Sequence, residues 1–155
     1  MSIVNVLFIC HGNICRSPMA EFMFKKMVED HHEEALFHIE SAATSREEIG
    51  NGVYPSARYE LKKHGIICRD KYARQVTKKD YEAYDYLICM DAYNVRNLQR
   101  IIGDDPLHKV HLLLSFTDHA RDVADPWYTD DFETTWNDLE EGLEAFYKYV
   151  RAQQK

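Results

Sequence analysis

The residues Cys10-His11-Gly12-Asn13-Ile14-Cys15-Arg16-Ser17-Pro18 put a thiol, a turn and a guanidinium into one short segment. A tight loop entering a helix turns successive backbone N–H groups inward and builds an anion-binding nest, here from His11 through Ser17. Gly12 and Asn13 are residue types that tolerate left-handed backbone, which such a loop requires. Arg16 offers a planar fork that matches two oxygens of a phosphate. Cys10 stands at the start of the loop and faces its positive field, which favours thiolate over thiol. The segment thus holds a nucleophile, an oxyanion cradle and a charge clamp. No Gly-Lys-Ser/Thr follows, so it is not a Walker loop, and its single Gly does not make a dinucleotide fingerprint. The plain alternative is a buried Cys on a tight turn with a surface Arg. Placement after a strand and before a Ser-Pro helix start favours the site.

The elements around this loop follow from hydrophobic patterning. Ile3 to Ile9 is a nearly continuous β-branched and aromatic run, the mark of a strand buried on both faces of a parallel sheet. Ser17-Pro18 predicts a helix start with Pro at the first helical position, and Met19, Phe22, Met23 and Met27 recur at helical spacing up to about Asp30. Phe37-His38-Ile39-Glu40 predicts a second strand, and 45–54, with Gly50-Asn51-Gly52, a loop. Pro55 opens a helix with Ala57 and Leu61 on one face and Gly65 at its end, and Thr77 starts a short one. Strands are predicted at 84–90 and 110–114, separated by a helix that Asp91 caps and Gly103 ends. Residues 115–130 read as a long polar loop carrying Asp125-Pro126, and long loops of this kind are often functional. The stripe Phe132, Trp136, Leu139, Leu143, Phe146, Val150 predicts a long closing helix with Trp136 in the core. This β-α alternation predicts an α/β fold, a four-stranded parallel sheet with helices on both faces in a single domain. Ligands in such folds sit beyond the carboxyl ends of the strands, where the first turn and the 115–130 loop both lie.

Composition bounds the reading. With 155 residues, 45% apolar and 29% charged, the chain has a globular composition large enough for its own core. A net charge of −7 suits neither the coating of nucleic acid nor an anionic membrane. No stretch approaches the length of a membrane helix, and the amino terminus lacks signal-peptide features, so the expected setting is the reduced cytoplasm. Cys10, Cys15, Cys68 and Cys89 are then free thiols. No CxxC pair occurs, and His31 and His32 point two ways on a helix end, so neither a metal nor a cofactor is expected.

The loop resembles the phosphate loop of the low molecular weight protein tyrosine phosphatases. The resemblance continues through Ser41-Ala42-Ala43, His64-Gly65-Ile66, Ala73-Arg74-Gln75-Val76-Thr77, Cys89-Met90-Asp91 and Asp125-Pro126-Trp127-Tyr128, so it spans nearly the whole chain, 1–155. It implies flavodoxin-like topology and metal-free hydrolysis of phosphomonoesters, above all phosphotyrosine; the expected partner is a phosphotyrosine-containing protein substrate and the expected state a monomer. By the same resemblance Cys10 matches the nucleophile that forms a phosphocysteine intermediate. Arg16 matches the residue that binds the phosphoryl oxygens, and Asp125 the general acid that protonates the leaving phenolate and then activates water. Asn13, Ser17 and Ser41 match a supporting network, and Trp127 and Tyr128 an aromatic wall facing the substrate ring. Read from the residues alone, an Asp-Pro pair in a loop is usually a turn, and only its place at the sheet's carboxyl edge gives Asp125 a second reading.

Two positions depart from the family pattern. Lys71 stands where a His commonly supports the phosphate loop, and Glu47 stands in the variable loop where a Trp often walls the cleft. Charge is also uneven: residues 58–79 hold eight Lys/Arg and two acids, whereas 118–144 hold ten acids and one Arg. That pattern fits two solvated faces, or a dipolar molecule that orients on a partner. Thioredoxin-coupled arsenate reductases share the fold and loop, but they need a further cysteine pair, and residues 90–100 after Cys89 contain no Cys. A phosphate-binding module without turnover is the remaining alternative, and Cys10, Arg16 and Asp125 together argue against it. Redox sensitivity is a further expectation, with Cys15 the nearest thiol able to trap an oxidised Cys10 as a disulfide, or else a small residue packed behind the loop.

Overall fold

A computed structural model describes residues 2–154. The first apolar run forms β1 (Val4–Cys10), which ends on the thiol-bearing residue. Chain order continues with α1 (Arg16–Asp30), β2 (Phe37–Ala43), α2 (Pro55–Lys63), α3 (Lys78–Ala83), β3 (Tyr86–Cys89), α4 (Ala92–Ile102), β4 (Val110–Leu112), α5 (Pro126–Thr129) and α6 (Phe132–Gln153). The strands form one sheet in the order β2-β1-β3-β4. All pairs are parallel, with Cys10 opposite Ala43 and Ile9 opposite Cys89. This is the flavodoxin-like order, in which the chain reverses direction across the sheet beside β1 and opens a crevice at the carboxyl ends of β1 and β3.

Successive β1 side chains face opposite sides of the sheet, so the strand feeds two cores. Val4, Val6 and Phe8 join Met19, Phe24, Leu61, Leu139 and Phe146 under α1, α2 and α6. Leu7 and Ile9 join Val76, Leu87 and Leu98 under α3 and α4. Helices therefore cover both faces, and the continuous apolar run of β1 has its physical reason. Trp136 is buried in the first core, its ring stacked on His64 at 3.6 Å between centroids.

The structure moves several predicted boundaries. The first helix starts at Arg16, so Pro18 is its third residue rather than its first. Pro costs nothing there, because first-turn N–H groups have no partner within the helix. β4 is shorter than predicted, because Leu113–Phe116 turn into a 3₁₀ helix. Leu113 and Leu114 are fully buried beneath α6, where a Cβ on Gly142 would stand 2.6 Å from Leu113 Cγ. The 115–130 segment is not all loop either. Asp125 caps α5 by accepting from the Trp127 N–H at 3.0 Å, and Pro126 opens that helix with its fixed φ.

Candidate active site

Beyond the carboxyl end of β1 lies a hollow of about 560 Å³ lined by Cys10, the loop that follows it, Glu47, Glu48, Asp91, Tyr93, Asp125, Trp127 and Tyr128. At its floor the Cys10 thiol is buried. The Asn13 backbone N–H donates to Cys10 Sγ at 3.3 Å, and Ser17 Oγ lies 3.0 Å from the same sulfur. The direction of the second bond follows from its neighbours. The Asn13 Nδ2 amide donates to Ser17 Oγ at 2.8 Å and to Ser41 Oγ at 2.9 Å. Ser17 thus accepts from Asn13 and has its own proton free for the sulfur. Ser41 Oγ donates to Glu21 Oε1 at 2.6 Å. Asn13 is the branch point of a buried relay that leads to the thiol on one side and to a carboxylate on the other.

Asn13 has a φ of 60°, the left-handed conformation that Asn adopts more readily than most residues. Its side-chain oxygen accepts from the Arg74 N–H at 3.3 Å, so both ends of the amide are committed. Gly12 does not need the left-handed region, contrary to the expectation from sequence; a Cβ there would meet Glu48 Cγ at 3.4 Å, an ordinary contact with a side chain. The helix that follows has Cys15 as its cap residue, with no side-chain hydrogen bond and no acid in its first turn, which leaves that positive end unopposed.

The Arg16 guanidinium is buried and held on two sides. It donates to Asp91 Oδ2 at 2.8 Å and to the Val123 carbonyl at 3.0 Å, with Asp125 Oδ2 at 3.4 Å. Burial works to lower its pKa, but the charges of Cys10, Asp125 and Asp91 outweigh this and raise it, so the group stays charged. Fixing the guanidinium plane in advance removes reorganisation from any step in which charge builds on an anion beside it. Asp125 also lines the hollow, on the turn that enters α5.

Trp127 and Tyr128 are exposed at the mouth, 62% and 85% accessible, with the Trp127 ring edge-on to Tyr54 at 5.8 Å. Glu47 also lines the hollow, its carboxylate 2.8 Å from His11 Nε2. His11, Gly12, Ile14 and Cys15 line the hollow, and Ser41 stands behind it at the end of the relay. The residues singled out from sequence therefore converge on one place. Sequence reasoning missed Asp91 as the partner of Arg16, and it missed Glu21. Lys71, where the family pattern has His, donates to the Ser41 carbonyl at 2.7 Å and lies 3.5 Å from Glu21 Oε1.

The sequence profile of the low molecular weight phosphotyrosine protein phosphatases matches residues 5–155. The chain is 42% identical over 147 residues to the low molecular weight phosphotyrosine protein phosphatase of Gallus gallus, covering 92% of each. It is similar to the crystal structure of YfkJ from Bacillus subtilis, with a TM-score of 0.96 at 32% identity, covering 100% of this chain and 99% of that one. The low molecular weight protein tyrosine phosphatase of Streptococcus pyogenes superposes with a TM-score of 0.85 at 37% identity, covering 96% and 93%.

Proposed function

The chain belongs to the low molecular weight phosphotyrosine protein phosphatase family and is a protein tyrosine phosphatase, a metal-independent phosphomonoester hydrolase; from this we propose how its own residues carry the reaction. Phosphate oxygens sit among the loop N–H groups from His11 to Ser17 and on the Arg16 fork, and the aryl ring stands between Trp127, Tyr128 and the Glu47 side of the mouth. Cys10 Sγ attacks phosphorus. The bond from phosphorus to the phenol oxygen breaks, its electron pair stays on that oxygen, and Asp125 supplies the proton. The product is tyrosine and a phosphocysteine. The Asp125 carboxylate then takes a proton from water, the water oxygen attacks phosphorus, and the phosphorus–sulfur bond breaks to return the thiolate and release phosphate. Ser17, donating to the sulfur, stabilises it as nucleophile and as leaving group. Arg16, held by Asp91 and Val123, follows the equatorial oxygens through both transfers.

The observation that carries this reading is the Cys10 sulfur at the floor of the hollow, accepting from Asn13 N–H and Ser17, with Asp125 lining the same hollow. We place the enzyme in the cytoplasm as a monomer, with phosphotyrosine proteins as substrates. The test is hydrolysis of para-nitrophenyl phosphate in the presence of a metal chelator. The wild type turns over and is inhibited by arsenate, whereas Cys10→Ser loses activity by a factor on the order of 10³ or more while still binding vanadate. Turnover by Cys10→Ser near the wild-type rate would remove the nucleophile assignment.

A further inference from the structure

A second cavity of about 410 Å³ lies beside the first, with the buried Val53 and Cys68 at its floor and Arg58, Arg69 and Lys71 around it. Lys71 is committed to Ser41 and Glu21. Arg58 and Arg69 are exposed, while Glu60 is engaged by Lys63 and His64, and Glu21 by Lys25 and Lys71. Among the described residues, neither Arg58 nor Arg69 forms an ion pair. Asp70 is the one carboxylate of the lining, against three cations. Burial raises the Cys68 thiol, while the Arg58 charge works against it.

The two cavities flank the same piece of chain. Glu47 and Glu48 border the catalytic hollow, and Gly52 and Val53 border the second cleft. This piece is pinned along its length. Gly50 N–H donates to the Ala73 carbonyl at 2.9 Å, Ala73 N–H to the Asn51 carbonyl at 2.8 Å, and Tyr54 N–H to the Ile14 carbonyl at 2.9 Å. The four residue steps from Glu48 to Gly52 include a turn, in which Asn51 N–H donates to the Glu48 carbonyl at 2.9 Å, so their span is shorter than the roughly 14 Å of an extended chain. Four or five residues of an extended peptide, at about 3.3 Å per residue, are therefore the most that is needed to cover it. The sign of the surface changes over the same span, from the carboxylates of Glu47 and Glu48 to the guanidinium groups of Arg58 and Arg69.

We propose that the Arg58–Arg69 cleft is a second anion site, which takes an acidic stretch of a phosphopeptide whose phosphotyrosine occupies the catalytic hollow. The site rests on the phosphatase reading for its substrate, and on the free cations and the fixed spacing for its place. It selects peptides with Asp or Glu about four residues from the phosphotyrosine, while the acidic rim disfavours acids immediately beside it.

The test uses two phosphotyrosine peptides, identical except that three residues beginning four positions after the phosphotyrosine are Glu in one and Gln in the other, together with their mirrored pair carrying the change before it. The wild type is expected to favour one Glu peptide about five- to tenfold in kcat/KM, through KM, with the advantage shrinking as salt rises. In Arg58→Ala/Arg69→Ala that advantage disappears, while para-nitrophenyl phosphate is hydrolysed as before. Fluorescence anisotropy of the same labelled peptides on Cys10→Ser reads the cleft without turnover, so a failure of the catalytic reading is told apart from a failure of this one. Equal handling of Glu and Gln peptides by the wild type, or a preference that survives in the double variant, overturns the proposal. Inhibition by inorganic phosphate that is equal in wild type and double variant places free phosphate in the catalytic hollow alone, as expected for a cleft that needs a tethered acidic segment; phosphate inhibition weakened by the double variant overturns that tethered assignment.

Discussion

The Lys71 ammonium donates to the backbone carbonyl of Ser41 at 2.7 Å, which ties a side chain outside the catalytic loop to the strand end behind it. Ser41 in turn joins Asn13 to the buried carboxylate of Glu21, beside which Lys71 also lies at 3.5 Å. Burial lowers the Lys71 pKa, and the Glu21 charge partly restores it. Lys71→Met keeps an apolar stem and removes the ammonium. The expected loss is about 1–3 kcal/mol of stability, since a buried carboxylate and a carbonyl lose a donor. kcat falls severalfold as Ser41 and Asn13 loosen, with KM for para-nitrophenyl phosphate little changed. Chemical denaturation and steady-state kinetics check both, and Lys71→Arg should recover part of each. A variant as stable and as active as the wild type would show that Lys71 only fills space.

The Asp125 carboxyl has two contacts to lose and a proposed proton to give, and two substitutions separate them. Its Oδ1 caps α5 through the Trp127 N–H, and its Oδ2 lies 3.4 Å from Arg16. Asn keeps an oxygen for the cap but has no acidic proton; Ala has neither. If Asp125 is the general acid, both variants lose rate in proportion to leaving-group basicity, because a proton matters only where charge on the departing oxygen is costly. For phenyl phosphate the loss is expected to be about 10²–10⁴-fold, within the range of general acid catalysis, and for para-nitrophenyl phosphate much less. A slope of log kcat against leaving-group pKa that stays as in wild type would make Asp125 a structural cap alone.

Much of this site is legible in the sequence because it is local. Cys10, the loop and Arg16 are consecutive between a strand and a helix, and the residue types themselves announce an anion nest. Asp91 is the instructive failure. From sequence it reads as the cap of α4, and it is one, accepting from the Asn94 N–H at 2.7 Å through Oδ1. Its other oxygen takes Arg16, a partner 75 residues away that only the β1–β3 pairing brings near. No local pattern records such a meeting. Glu21 had a faint signal: it follows Ser17 by one helical turn on the buried side of α1, and a buried acid demands partners. The end of β4 was misread for a related reason. Leu113 and Leu114 continue the apolar run of the strand, but the close approach of α6 bends them into a 3₁₀ turn.

That approach is tight enough to test by itself. A Cβ on Gly142 would stand 2.6 Å from Leu113 Cγ and 3.1 Å from Leu114 Cδ2, and both leucines are fully buried. In an exposed helix interior, Gly→Ala stabilises by about 1 kcal/mol. Here overpacking is expected to reverse the sign, so that Gly142→Ala destabilises by about 1–3 kcal/mol with kcat nearly unchanged. Thermal melting decides the sign; a higher melting temperature would mean that α6 can slide off the 3₁₀ turn at little cost.

The final prediction concerns oxidation of the loop. Cys15 is buried, and burial first, then the nearby charges of Cys10 and Asp125, push its thiol up to about 12 against the opposing effect of Arg16. At neutral pH it is therefore a thiol, and iodoacetamide should label Cys10 and spare Cys15. Peroxide changes the balance: the Cys10 thiolate takes an oxygen to become the sulfenic acid, with hydroxide leaving. One of the nearby charges that raise the Cys15 thiol is then gone, while burial and Asp125 still act on it. The Cys15 sulfur can attack the sulfenic sulfur, forming the disulfide and releasing water. Cys89 is fully buried within the sheet, and Cys68 opens to the second cleft, so neither competes from the catalytic hollow. Peroxide should inactivate the enzyme, phosphate in the loop should protect it, and dithiothreitol should restore it. Mass spectrometry of the oxidised protein should find a Cys10–Cys15 link. Cys15→Ser should stay active yet recover poorly after the same dose, because the sulfenic acid then proceeds to irreversible forms. If Cys15→Ser recovers as fully as the wild type, Cys15 is a packing residue, and the catalytic role of Cys10 is unaffected.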